Sequence, residues 1–210
     1  MKNLGAALVA GLLGVVLEIL AFLSFQKLLE ISKTPNVKIG GASEGAEGEV
    51  DMSGTVEGLS GGAKSFVTPL VNRECVFYSL RNQVHSSRTH TDSKGRTHTE
   101  SYWADVGPEE KRLAPFVMHD DSGKITVNAE SAEFEVESST IGTGFNTRAI
   151  VNFLPLGKTV FVHGMVSKGL MKAKLVSIKS EGTILAGAGI AMIIEGLLGI
   201  AAIAYAVLFA

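Results

Sequence analysis

Two long apolar runs bracket the chain, and a polar stretch of strand-like alternation lies between them. Leu4 to Phe25 (LGAALVAGLLGVVLEILAFLSF) carries a single charge, Glu18, and Gly182 to Ala210 carries only Glu195. A helix rises 1.5 Å per residue and a bilayer core needs about 20 apolar residues, so each run predicts a membrane-spanning helix. The first run competes with a cleaved signal peptide, with Lys2 as its charged start. It is longer than the usual apolar region of such a peptide, contains an acid, and continues into FQKLLEISK without a small-x-small site. A retained helix is therefore expected. The pattern predicts an α+β protein with transmembrane helices at 4–31 and 183–210. A mostly antiparallel β domain at 32–181, a small barrel or sandwich, is held between them. Both short termini then lie on one side of the membrane and the β domain on the other.

Within the middle, Lys33 to Gly62 is Gly-rich and acidic. Its Gly-Ala-Ser-Glu start reads as a linker, and Glu49–Glu57 alternates as a first strand. Glu74–Val84 is β-branched and aromatic and reads as a central strand. Ser101–Val106, Phe116–His119, Lys124–Ala129, Thr159–Val166 and Ala173–Ile178 are further short strands. Closely spaced strands with Gly-rich turns point to antiparallel β architecture.

Charge and cysteine content narrow the function classes. The net charge is −2 over 210 residues, which gives no basic footprint for nucleic acid. The one cysteine, Cys75, excludes an intramolecular disulfide and a Cys-rich zinc site. Lys27, Lys33, Lys38, Lys168, Lys172, Lys174 and Lys179 lie on the domain side of the two runs, against Lys2 on the other. By the positive-inside rule that bias favours a cytoplasmic β domain.

The two intramembrane acids are costly to insert, about 2.5–3.5 kcal/mol each at mid-membrane, and call for a partner or a proton. With spans at Leu4–Gln26 and Ala186–Leu208, Glu18 and Glu195 fall at nearly equal depth. Glu18, Gly14 and Gly11 share one face of the first helix, and Glu195, Gly199 and Ala202 one face of the second. Small residues permit close helix approach. The expectation is antiparallel packing along these two stripes, with the two acids adjacent and at least one protonated.

The sequence SSRTHTDSKGRTHTES repeats Arg-Thr-His-Thr around Asp-Ser-Lys-Gly and predicts a long hairpin. With Asp92–Gly95 as the turn, Thr91 opposes Arg96, His90 opposes Thr97 and Thr89 opposes His98. Side chains alternate faces along a strand, so His90 and His98 would point to opposite sides and share no metal, unless a one-residue bulge intervened. Arg88, His90, Lys94, Arg96, His98 and Trp103 are the candidate partner-binding residues, with Trp103 as an anchor at the base. His119, Asp120 and Asp121 read as turn chemistry, His163 as a hydrogen-bonded core residue, and Cys75 as buried and inert. No Ser–His–Asp set, phosphate loop or paired catalytic carboxylates stand out. Neither an enzyme, a cofactor nor a metal site is expected.

Three blocks, TPLVNRECVFYSLRN (68–82), APFVMHDDSGKITVNA (114–129) and FLPLGKTVFVHGMV (153–166), resemble the GIDE family. Its β-rich BAM domain sits between two transmembrane helices in MULAN-type mitochondrial E3 ubiquitin ligases. The resemblance spans about residues 35–180 together with the helix–domain–helix order. One departure is Val151-Asn152, where the family often carries a Glu ahead of its third block. The family's ligases also carry a RING, whose two zinc ions need Cys and His ligands that one cysteine cannot supply. The resemblance therefore implies the membrane and β portion alone, as in prokaryotic members without a RING. Two classes of function remain. One is a binding or scaffolding module with the bilayer and a protein partner or a second copy of itself as partners. The other is an oligomer that controls proton or ion permeability through Glu18 and Glu195.

Overall fold

A computed structural model describes residues 4–45, 47–62 and 65–209. They fall into two compact units, 4–35 with 179–209, and 36–178. The first is a pair of helices, α1 (Leu4–Lys33) and α3 (Glu181–Phe209). Both are apolar round their whole circumference, with mean hydropathy of 2.5 and 2.2 over their most apolar windows. Only 17% and 6% of those windows is buried. A core helix of a water-soluble protein would be enclosed; these expose Leu12, Phe22, Ile190, Leu197 and Val207. Each helix is long and apolar enough to cross a membrane.

Among the described residues the second unit holds one short helix, α2 (Ile39–Ser43), and eleven strands. They are β1 (Gly48–Leu59), β2 (Phe66–Val67), β3 (Glu74–Thr91), β4 (Thr97–Leu113), β5 (Phe116–His119) and β6 (Lys124–Asn128). After them come β7 (Glu133–Glu135), β8 (Glu137–Gly144), β9 (Thr147–Pro155), β10 (Thr159–Ser167) and β11 (Leu170–Ser177). One sheet runs β10-β1-β5-β6-β11-β7, and β10 also pairs with β11. That extra pairing closes β10, β1, β5, β6 and β11 into a barrel and removes its edges. The second sheet runs β2-β3-β9-β8, with β4 also on β3. Pairing is antiparallel except for β6 and β7, which lie parallel to successive parts of β11.

The period-2 burial along β1 (Val50, Met52, Gly54 and Val56 in) aims alternate residues at one core. Phe116, Met118, Val127 and Val162 join it from the barrel, and Val76, Phe77 and Leu154 from the second sheet. Enclosing a side chain such as Phe116 contributes about 1.5–3 kcal/mol. Cys75, Tyr78, Val151 and Phe153 form a smaller cluster of buried residues.

Several expectations change. The segment read as a linker makes α2, whose Ile39, Gly40 and Ala42 are buried. Asp120 holds it in place. Its Oδ2 accepts from Ile39 N at 3.1 Å, while Oδ1 accepts from Ser122 N at 2.7 Å and Gly123 N at 3.1 Å. The central strand runs on to Thr91 instead of ending at Val84, and β7, β8 and β9 were not anticipated.

Candidate functional site

The two long strands β3 and β4 build a feature that the rest of the sheet does not support. On its other edge β3 pairs with β9 only as far as Val84 opposite Thr147. Beyond that point His85–Thr91 and Thr97–Trp103 continue as a two-stranded ribbon, about 20 Å long at 3.3 Å per residue. Most of its side chains are exposed.

Its tip differs from the expected turn by one residue. Asp92 N donates to Arg96 O at 2.9 Å and Gly95 N to Asp92 O at 3.0 Å. The loop thus has three residues, Ser93, Lys94 and Gly95, and Gly95 sits at φ 75°, where a residue with a Cβ is strained. Asp92 fixes it: Oδ1 accepts from Lys94 N at 2.9 Å and Arg96 N at 2.8 Å, and Oδ2 from Arg96 Nε at 2.9 Å. The Arg96 backbone N–H and these other donors hold the Asp92 carboxyl below its ordinary range.

The added loop residue shifts the register. Thr91 faces Thr97, His90 faces His98, and Thr89 faces Thr99. His90 and His98 are therefore directly opposed on one face, not on two as the sequence reading had it. Their rings stack with centroids 5.5 Å apart and planes 23° from parallel. The same face carries the Arg88–Glu100 and Ser86–Tyr102 rungs. The opposite face carries the Thr89–Thr99 pair, with hydroxyls 3.3 Å apart.

Trp103 lies on that second face at the ribbon's base. It meets the His85 ring edge-on at 5.1 Å, and the Arg148 guanidinium of β9 sits 4.2 Å from its centroid. Arg148 Nε donates to Gln83 Oε1 at 2.8 Å, and Gln83 Nε2 donates to Asp105 Oδ1 at 2.8 Å. The six hairpin residues singled out from sequence thus divide among three places. Arg88, His90 and His98 share one face, Lys94 and Arg96 belong to the turn, and Trp103 braces the base. Sequence reasoning missed Asp92, Glu100 and Arg148. The Asp-x-x-Gly spacing of the tip was the available signal for Asp92, and the alternation of Ala149, Val151 and Phe153 was the one for β9.

In the helix pair, small residues set a close antiparallel approach. A Cβ on Gly14 would lie 2.6 Å from Ile203 Cγ1 and 3.0 Å from Gly199 O. A Cβ on Gly199 would lie 2.6 Å from Glu18 Oε1, and Gly11 faces Ala206 at 3.5 Å. Glu18 is therefore level with Gly199. Glu195 is instead about one turn away, where its Oε2 accepts from Ser24 Oγ at 3.0 Å. The expected Glu18–Glu195 adjacency is replaced by two separate environments, and Ala206 stands where Ala202 was expected. Depth counted from the span midpoints ignores side-chain fit, and the Gly14–Gly199 approach decides the register.

His163 Nδ1 lies 2.7 Å from Asp51 Oδ1, both buried, and the Cys75 thiol is fully enclosed. Burial pushes that thiol up to about 11, against a smaller opposing effect of the hydrogen bond with the Phe77 backbone. Compared with protein-family models, curated proteins and solved structures, the chain matches none.

Proposed function

We propose that this chain is a two-pass membrane protein that displays its β unit as a binding or scaffolding module. Its contact element is the β3–β4 ribbon. The observation that carries this reading is the ribbon's free length. An isolated two-stranded ribbon gains little stability in water, and this one leaves its polar side chains in solvent. The three GIDE-like blocks support the same frame. Their residues are structural: Phe116 and Val127 are buried, as are Val160 and Val162, and Asp120 ties the β5–β6 turn to α2. The resemblance therefore speaks for the fold of the β unit. Partner choice is assigned to the exposed ribbon. The Lys and Arg bias favours the β unit on the cytoplasmic side.

Two experiments test the reading. Trypsin applied to sealed cells and to inverted vesicles should cut at Arg88, Lys94 and Arg96 in the inverted vesicles alone; cutting on sealed cells would reverse the sidedness. A photo-crosslinking residue placed at Ser87 or Arg88 should trap one discrete partner or a second copy of the chain. The same residue placed at Glu130 should not. Equal trapping from both sites would refute the ribbon as the contact element.

Glu18 favours a second reading, control of proton or ion permeability by an oligomer. Its Oε1 is enclosed without a hydrogen-bond partner among the described residues, and an ionisable group at membrane depth often marks an ion path. Proton flux in proteoliposomes that Glu18→Gln abolishes would favour this reading over the first. Equal background leakage from both proteins would remove it.

A further inference from the structure

We propose that His90 and His98, with Asp92, form a surface site for a divalent transition metal of the zinc class. The inference stands on the ribbon's register and does not depend on the identity of a partner. Directly opposed residues on an antiparallel pair hold their Cβ atoms about 4.5–5.5 Å apart. Two imidazoles on such a rung can reach one ion by side-chain rotation alone, since zinc binds histidine nitrogen at about 2.0–2.1 Å. Here the two rings already stand face to face at 5.5 Å. Tilting their nitrogens together needs no backbone movement, and exposure leaves both rings free to turn.

Asp92 adds the third ligand. Its Oδ2 lies 3.5 Å from His98 Nε2. Its Oδ1 is held by the Lys94 and Arg96 backbone N–H groups, so the carboxylate keeps its place when Oδ2 turns to a metal. The bonds to be given up are Arg96 Nε to Asp92 Oδ2, at 2.9 Å, and the longer His98 contact with the same oxygen; the exposed Arg96 side chain can turn into solvent. The next rung adds Arg88 and Glu100 on the same face. The two arginines are thus offset by two carboxylates, and Glu100 or water can complete the shell. Two imidazoles and carboxylate oxygen match the preferences of zinc, and copper or nickel would compete for the same nitrogens.

The test is calorimetric titration of the full-length protein in detergent micelles, purified without a histidine tag, with zinc chloride. One equivalent should bind. His90→Gln and His98→Gln should each weaken binding about tenfold or more, and the double variant, left with Asp92 alone, should bind more weakly than either. His85→Gln, on the opposite face against Trp103, should bind like the parent. Slow reaction of Cys75 with a thiol reagent checks that each variant remains folded. No measurable zinc binding by the parent overturns the proposal. So does binding that His90→Gln leaves undiminished, or an equal loss on His85→Gln.

Discussion

At the scale of single residues, the β unit's titratable groups are set by what encloses them. Cys75 is buried and its thiol raised to about 11, so the nucleophilic thiolate is scarce at neutral pH. Ellman's reagent at pH 8 should react with the native protein far more slowly than with the urea-unfolded chain; equal rates would show an accessible thiol. Asp120 behaves in the opposite sense. Burial opposes its ionisation, but the Ser122 hydroxyl and the Ile39, Ser122 and Gly123 backbone N–H groups outweigh it and hold the carboxyl at about 2. A depressed carboxylate adds stability that is fully present above the unfolded value, about 3.9. That stability is lost as pH falls through the folded value. Asp120→Asn should therefore lower the melting temperature at pH 7, and the gap to the parent should close between pH 4 and pH 2. The residue types made these roles legible: an Asp-Asp-Ser-Gly run has few structural uses, and a cysteine inside Glu74–Val84 has little choice but the core.

At the scale of elements, hydrophobic pattern located the pieces, whereas register escaped it. The apolar runs led to α1 and α3 because length and hydropathy alone identify such helices. Which residues meet across them depends on shape, and one turn of sliding preserves every apolar contact type. A disulfide test decides the register. In a Cys75→Ala background, Gly11→Cys with Ala206→Cys should cross-link on mild oxidation, because the Cβ positions lie 3.5 Å apart, within reach of a disulfide. Gly11→Cys with Ala202→Cys, the pair favoured by the sequence, should cross-link poorly. The ribbon carries the same lesson: one more residue in its loop moved His98 across the strand plane and turned two unrelated histidines into a rung.

At the scale of the whole molecule, helix–domain–helix order and mostly antiparallel β content were readable from alternation and composition. Barrel closure was not. It rests on β10 pairing with both β1 and β11, and on β11 accepting β6 and β7 in parallel. Strand propensity does not say which distant strands meet. Because one core joins the two sheets of the β unit, residues 36–178 expressed alone should unfold in one transition. Trp103 fluorescence and far-ultraviolet circular dichroism should trace the same midpoint. Separate midpoints would mean that the ribbon's base loosens before the barrel does.

The barrel seam also imposes a timetable. Its first strand is completed by a late one, with Gly48 opposite Val166 and Thr55 opposite Thr159, and such distant pairings fold slowly. At about 5–20 residues per second of synthesis, β1 waits several seconds with an open edge after it is made. The last strand of the barrel, β11, ends at Ser177, and α3 begins at Glu181. The apolar α3 therefore follows the last barrel strand by only a few residues, and a chaperone that shields the waiting edge of β1 would act before α3 emerges.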